Sequence, residues 1–283
     1  KPKNSTFEAL DWYSSMEVDD VTANDLSHPG FHIKSHAGLD PASRKSPGIL
    51  SQAQDDSKQV QDDNKGVKVI PGSTRDLVKA PGILKQVQDD YRTLDDLKTA
   101  VMNFDGCDLK KTATNTVFGD GAVDAKIMLI GEAPGAEEDE TGIPFCGDSG
   151  KLLDNMLASI GLSRQKNVYI TNTVFWRPPA NRRPTKEEIE LCRPFVEQHI
   201  ALIKPKLLIL VGSTAVTALL GPKFEITKIR QEYYAYNNAY LSKSIATTAL
   251  FHPAYLMRQP SQKKQAWYDL LKIKDFIAKN IAQ

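Results

Sequence analysis

The chain of 283 residues is long enough for two domains, and its 36 basic and 35 acidic side chains nearly cancel, which excludes a uniformly basic nucleic-acid binder. No apolar run is long enough to span a bilayer, so we expect no membrane partner. The three cysteines are widely spaced, which argues against a disulfide framework and indicates a reducing cytoplasm.

The charge is unevenly distributed along the chain. Residues 1–63 carry six basic and eleven acidic side chains, a net charge of −5, so the remainder carries 30 and 24, a net charge of +6. A mildly positive body favours contact with a phosphate backbone. We therefore expect one domain with an acidic N-terminal appendage.

The appendage begins with Leu10–Val21, whose spacing predicts a short amphipathic helix. His28, His32 and His36 follow at intervals of four residues, as a helical metal site would require. A Pro-Gly pair interrupts any helix there, and no carboxylate or thiol is placed beside the imidazoles. We expect a solvated loop.

An internal repeat comes next. Residues 47–56 (PGILSQAQDD) recur as residues 81–90 (PGILKQVQDD). The repeat is too irregular and too polar to stack into a solenoid, and it resembles translated palindromic elements inserted in frame in some bacterial genes. We predict that residues 1–90 comprise the short helix and a largely disordered insertion, and that residues 91–283 form the folded domain.

From residue 91 onward the hydrophobic pattern alternates between helices and strands. Buried strands are predicted at Ile127–Ile130, Val168–Thr171, Leu207–Val211 and Ile245–Leu250. Helices are predicted at Leu94–Val101, Leu152–Leu157, Thr185–Ile203, Ser213–Leu220 and Ser261–Ile281. This alternation predicts an α/β fold with a central, mainly parallel four-stranded sheet that helices cover on both faces.

Two of these helices have recognisable start signals. Thr185 and Glu188 have the spacing of a capping box, and Pro194 is expected to kink the helix that follows. Asp148 or Ser149 is expected to cap the helix that carries Leu152–Leu157.

The first predicted strand runs into the most distinctive stretch of the domain. Residues 131–135 (GEAPG) force a sharp turn where the backbone can approach a ligand, and an acidic loop at residues 137–140 follows. Neither a dinucleotide fingerprint nor a phosphate loop is present. Because ligands of open α/β sheets bind at the carboxyl ends of the strands, the stretch predicts one wall of an active site.

Three segments resemble motifs of the family 4 uracil-DNA glycosylases. The first is residues 131–153, with G-E-A-P-G, an E-D pair, G-x-P-F and G-x-x-G-x-L-L. The second comprises residues 169–172 (YITN) and 177–182 (RPPANR), and the third is residues 252–258 (HPAYLMR). They follow the family's order within residues 104–271, which makes the resemblance specific.

The resemblance implies the three-layer α/β/α fold of the uracil-DNA glycosylase superfamily and a monofunctional hydrolase. Such an enzyme flips uracil out of DNA and hydrolyses its N-glycosidic bond, which leaves an abasic site for base excision repair. No lysine matches a Schiff-base position in the motifs, so we expect no strand cleavage. The expected partner is uracil-containing DNA, and the expected protein is a monomer that is cytoplasmic and associated with the bacterial nucleoid.

This chemistry requires that the base is held flat, that its Watson–Crick edge is read and that negative charge on O2 is stabilised. The resemblance assigns stacking to Phe145, pairing with O4 and N3 to Asn172 and donation to O2 to His252, with Ala133 in the uracil pocket. Each of the first three has a structural alternative: a core aromatic residue, a turn residue or helix cap, and a buried histidine beside a proline turn.

The carboxylate that positions the attacking water has more than one candidate. Glu132 is the first choice, because the next position, where other branches of the superfamily place a catalytic Asp or Asn, is Ala133. Glu138 and Asp139 are the alternatives that the family's E-D pair suggests. The remaining acidic residues of the stretch are equally consistent with a solvated loop.

Several further residues are candidates for holding DNA open. Clamp and wedge positions are expected at Pro134, Gly135, Arg177, Arg182, Leu256, Met257 and Arg258. The Arg-rich insert with a nucleophilic His that marks the crosslinking relatives is absent between Trp176 and Thr185, so we expect no covalent capture.

The chain departs from the family at the iron–sulfur site. Family 4 enzymes hold a [4Fe–4S] cluster with four cysteines, whereas here Phe104 and Trp176 stand at two of those positions and only Cys107 and Cys192 remain. Two thiolates are half of the required ligand set. We therefore predict an enzyme without a metal or other cofactor, in which aromatic packing replaces the cluster.

Two other classes of function stay open. A catalytically inactive DNA-binding protein of the same fold would keep the basic segments and lose Phe145, Asn172 or His252, and all three are present, which favours an enzyme. A scaffold tethered through the repeat would require that segment to be ordered or bound.

Overall fold

The computed structural model describes residues 67–69 and 91–281. The predicted helix at Leu10–Val21, the three spaced histidines and both copies of the repeat lie outside the described residues. Within the predicted insertion, the structure places one short strand, β1 (Val67–Val69).

In the described part of the chain a single sheet runs through the domain. Its further strands are β2 (Asp120–Gly121), β3 (Ile127–Gly131), β4 (Val168–Asn172), β5 (Leu207–Val211), β6 (Tyr233–Tyr236) and β7 (Ile245–Leu250). The strand order is β1-β6-β7-β5-β3-β4-β2. The central strands β7, β5, β3 and β4 are parallel to one another. Strand β2 pairs antiparallel with β4 and β6 pairs antiparallel with β7, whereas β1 pairs parallel with β6.

Helices cover both faces of this sheet. They are α1 (Leu94–Asn103), α2 (Leu109–Thr112), α3 (Ala136–Thr141), α4 (Asp148–Ala158), α5 (Lys186–Ile203), α6 (Ser213–Leu220), α7 (Ile226–Ile229), α8 (Pro253–Arg258) and α9 (Lys263–Asn280). Met128 and Ile130 of β3 pack in one cluster with α1, α5 and α6, whereas Ile127 and Leu129 pack in a second cluster with α4, α8 and α9. The predicted three-layer α/β/α fold is confirmed, and its four predicted strands are parallel. The described sheet has seven strands and not four, because three short strands extend it.

Local sequence determines where helix α5 begins, whereas a tertiary contact determines where helix α4 begins. Thr185 caps α5, with the predicted box to Glu188 formed in both directions, and Pro194 lies inside the helix. The N-cap of α4 is Gly147 and not Asp148 or Ser149, and no side chain of its own caps it. The prediction was wrong there because the carboxylate of Glu138, eight and nine residues earlier, accepts the backbone amides of Cys146 and Gly147.

The acidic stretch also differs from the prediction, because it forms helix α3 instead of a loop. Glu137, Glu138 and Asp139 occupy its first turn, where the positive end of the helix dipole favours carboxylates. Helix α8, inside the HPAYLMR motif, was not predicted either; its proline stands at the first helical position, which tolerates the missing amide.

Within the described residues no helix is both long enough and apolar enough to cross a bilayer.

Candidate active site

A cleft of about 670 Å³ opens at the carboxyl ends of the parallel strands. Its walls come from the residues that follow β3, β4, β5 and β7, as the strand topology requires. Ten predicted site residues line it: Glu132, Ala133, Pro134, Gly135, Glu138, Phe145, Asn172, Arg182, His252 and Arg258. The other four, Asp139, Arg177, Leu256 and Met257, do not.

Phe145 is a buried aromatic residue of the cleft with a left-handed backbone conformation, φ 53°. Its ring centroid lies 5.6 Å from that of His252, with the two planes tilted by 32°. Gly131, the last residue of β3, makes room for the ring: a Cβ there would lie 2.5 Å from both the Phe145 ring and Oδ1 of Asn172. The three side chains that the resemblance assigns to the base are thus brought together.

Asn172 ends strand β4, opposite Gly131 in the register, and is 1% exposed. Its Oδ1 atom is buried and has no hydrogen-bond partner. An unpaired buried acceptor costs about 1–3 kcal/mol, so such an atom is expected where a ligand supplies the missing donor.

His252 is the N-cap of α8, and its Nδ1 accepts the backbone amide of Ala254 at 3.2 Å. The proton of the neutral ring therefore resides on Nε2. Burial lowers the pKa of His252 to about 4, the positive charge of Arg258 adds to this effect, and the charge of Glu138 opposes it. At neutral pH the ring is an uncharged donor through Nε2.

Glu132 is held by two threonines that no sequence pattern pointed to. The Thr214 hydroxyl donates to its Oε2 at 2.5 Å, and the Thr173 hydroxyl donates to its backbone oxygen at 2.5 Å. Among the described residues, its other carboxylate oxygen, Oε1, has no hydrogen-bond partner. Glu132 therefore combines a fixed position with a carboxylate oxygen available at the cleft.

The two alternative carboxylates are occupied with backbone groups. Glu138 accepts the amides of Gly135, Cys146 and Gly147 at 3.0, 3.0 and 3.1 Å. Asp139 accepts the amides of Thr114 and Asn115 at 2.8 and 3.1 Å, away from the cleft. Both carboxylates fasten loops, Glu138 at the cleft wall and Asp139 behind it.

The RPPANR segment folds into a turn that its own arginines hold. Arg177 Nε donates to Asn181 Oδ1 at 2.7 Å, and Arg182 forms a fork with both carboxylate oxygens of Glu188 at 2.8 and 2.6 Å. Asn181 and its neighbour Ala180 both have positive φ, 54° and 53°. Arg183, which was not among the predicted site residues, lines the cleft beside them.

Helix α8 separates the three predicted wedge and clamp residues. Leu256, which the sequence assigns to DNA contact, is fully buried in the core, because a helix turns by about 100° per residue and directs this position inward. Met257 is 48% exposed, and Arg258 lines the cleft.

Comparisons with known proteins agree with this geometry. Residues 118–271 match the family model described as the uracil DNA glycosylase superfamily. The chain belongs to this superfamily. It is 39% identical over 188 residues to the type-4 uracil-DNA glycosylase of Archaeoglobus fulgidus, which covers 66% of this chain and 94% of that protein. It is 40% identical over 176 residues to the type-4 enzyme of Thermotoga maritima, covering 61% and 88%.

A more distant relative lies within the same superfamily. The type-5 uracil-DNA glycosylase of Pyrobaculum aerophilum is 28% identical over 150 residues, covering 48% of this chain and 64% of that protein. The resemblance read from the three motifs is confirmed.

The four residues that the resemblance places at the family's iron–sulfur site lie in one part of the core. Phe104, Cys107, Trp176 and Cys192 are all buried in one cluster. The rings of Phe104 and Trp176 stack with centroids 6.4 Å apart, and the Trp176 indole donates to the Thr116 hydroxyl at 3.0 Å.

The two cysteines lie in contact with each other. A hydrogen bond to Cys192 lowers the pKa of Cys107, and the same bond together with burial raises the pKa of Cys192 well above its usual range. No group of three or more His, Cys, Asp or Glu side chains in the described ranges is arranged to hold a metal. An iron–sulfur cluster that needs four thiolate ligands does not fit these residues, since aromatic side chains occupy the other two positions.

Proposed function

We propose that the chain is a monofunctional uracil-DNA glycosylase that flips uracil out of DNA and hydrolyses its N-glycosidic bond to leave an abasic site for base excision repair. The observation that carries the proposal is the buried, unpaired Oδ1 of Asn172 next to Phe145 and His252. The identity to relatives named type-4 uracil-DNA glycosylase supports it.

The base is recognised by its Watson–Crick edge. Asn172 Oδ1 accepts the N3–H of uracil and the amide nitrogen donates to O4, while Phe145 stacks on the ring and Ala133 lines the pocket. Cytosine has no hydrogen on N3 and carries a donor at position 4, so it leaves the buried Oδ1 unpaired. Discrimination of this kind follows from the cost of an unsatisfied polar group.

The leaving group is stabilised by a neutral histidine. As the N-glycosidic bond breaks, negative charge develops on uracil O2, and His252 Nε2–H donates to it. The hydrogen bond from Ala254 fixes the required tautomer, and the lowered pKa keeps the ring uncharged. The donor therefore needs no change in protonation at neutral pH.

Glu132 acts on the sugar and on the attacking water. Its carboxylate offsets positive charge on the oxocarbenium-like sugar and orients a water through the unpaired Oε1. Thr214 holds the other oxygen in place. The carboxylate of Glu138 holds a loop at the cleft wall and that of Asp139 holds a loop behind it, so neither competes for this role.

DNA is held by a smaller set of residues than the sequence indicated. Met257 is exposed and suited to a wedge, and Arg183 and Arg258 line the cleft as phosphate contacts. Arg177 and Arg182 maintain the turn that presents Arg183. Pro134 and Gly135, which also line the cleft, offer a close backbone approach to DNA.

The proposed enzyme works without the iron–sulfur cluster of its type-4 relatives, because two of the four ligand positions are aromatic and packed. It acts as a monomer in the bacterial cytoplasm, at the nucleoid. The three cysteines are free, which accords with a reducing compartment.

The test is a glycosylase assay with purified full-length chain on oligonucleotides that carry uracil in U·G, U·A and single-stranded contexts. Uracil release that yields strand breaks only after alkali is the expected result. DNA binding without release would favour an inactive DNA-binding protein, and direct nicking trapped by borohydride would refute the monofunctional mechanism.

A further inference from the structure

The backbone of Phe145 is strained, and contacts on both sides of this residue maintain its conformation. A non-glycine residue with φ near 53° occupies the left-handed region, which persists only where the surrounding structure enforces it. On the C-terminal side, Glu138 accepts the amides of Cys146 and Gly147. Gly150 leaves space for the Phe145 carbonyl, with which any Cβ at position 150 would collide.

A buried guanidinium bridges the peptide groups that precede and follow Phe145. Arg164 Nη1 donates to the Pro144 carbonyl at 2.9 Å, and its Nη2 donates to the Phe145 carbonyl at 2.8 Å. Arg164 is 8% exposed and lies in the loop between α4 and β4. A rigid planar fork that binds two successive carbonyls fixes the two peptide groups on either side of Phe145.

Arg164 is itself anchored by two carboxylates on separate elements. Its Nε donates to Asp154 Oδ1 on α4 at 3.0 Å, and Nη1 donates to Asp120 Oδ2 on β2 at 3.0 Å. These contacts neutralise the buried charge and orient the guanidinium plane. Arg164 does not line the cleft, so it can influence catalysis only through the residues it holds.

We propose that Arg164 is a positioning residue for base stacking: it enforces the left-handed backbone of Phe145 and thereby sets the ring against the flipped uracil. This inference rests on the stacking role of Phe145 in the proposed function. A lysine at position 164 keeps the positive charge but cannot present the planar fork to both carbonyls.

The test is a double-mutant cycle on single-turnover uracil excision with Arg164→Lys, Phe145→Ala and the combined variant. Arg164→Lys should lower the rate constant between about 10-fold and 100-fold, because misplacement of a positioned group acts on the chemical step. The half-saturating enzyme concentration should stay within about twofold of the wild-type value. Combined with Phe145→Ala it should have no further effect. Arg193→Lys, a matched change at a buried arginine paired with Glu190 outside the cleft, should leave the rate unchanged.

The outcomes separate the two proposals. Wild-type activity of Arg164→Lys, or losses that multiply in the combined variant, would overturn the positioning role alone. Full activity of Phe145→Ala would overturn stacking itself and this inference with it. If Arg164→Lys does not fold, Asp154→Asn, which loosens one anchor of Arg164, serves instead. It should lower the rate constant of excision between about two- and fivefold, and it should have no effect in the Phe145→Ala background. A decrease in rate that persists in that background overturns the inference.

Discussion

Truncation of the Asn172 side chain should lower the activity of the protein without lowering its stability. Two hydrogen bonds to the uracil edge, at about 1.5 kcal/mol each, amount to about 3 kcal/mol, so Asn172→Ala should lower kcat/KM for uracil excision on the order of 10²-fold. The same change removes a buried acceptor that has no partner in the free protein, and that atom costs about 1–3 kcal/mol. The variant should therefore be at least as resistant to thermal unfolding as the wild type.

Single-turnover excision and thermal denaturation, measured on one preparation, test this prediction. Asn238→Ala is the matched control, because the amide of this buried residue is fully engaged, with Nδ2 donating to the Glu197 carbonyl and Oδ1 accepting the Tyr240 amide. The control should lose stability and keep its excision rate. An Asn172→Ala variant with wild-type activity, or one that loses stability as the control does, would refute the proposed base recognition.

The pH dependence of excision, the role of Met257 and the role of residues 27–90 can each be tested. Excision should persist from pH 7 to about pH 5 and decline towards pH 4, because the active, neutral form of His252 exists above its lowered pKa; a pH–rate profile with a midpoint near 6.5 would contradict this. Met257→Ala should reduce excision from duplex DNA more than from single strands, since only a duplex needs a wedge, and equal losses would argue against it. Deletion of residues 27–90 should leave the excision rate nearly unchanged, because the one described strand within them lies at the sheet edge away from the cleft; a large loss of rate would show that the segment matters for catalysis.

The central layer of the fold could be predicted from sequence because burial on both faces produces unbroken apolar runs. The runs at Leu207–Val211 and Ile245–Leu250 became strands with the same bounds. Strands β1, β2 and β6 have two to four residues, too few for any periodicity to develop. Their existence depends on neighbours that supply backbone hydrogen bonds.

The candidate site could likewise be predicted from the sequence only in part. Asn172 and His252 could be placed at the carboxyl ends of the strands because Asn172 ends one recognisable strand and His252 follows another. The cap of α4 by Glu138 and the anchoring of Glu132 by Thr214 join residues that are distant in sequence, and no local pattern encodes such pairs. Leu256 and Met257 were assigned together because a motif carries no helical phase, and the phase buries one and exposes the other.

In the proposed function, this cleft excises uracil without an iron–sulfur cluster. The most direct measurement is iron content and uracil release on the same anaerobically purified sample, before and after treatment with a chelator. We predict a colourless protein with negligible iron and unchanged excision from a U·G oligonucleotide, because Phe104 and Trp176 fill two ligand positions. Close to four irons per chain with broad visible absorbance, and loss of excision on chelation, would contradict it.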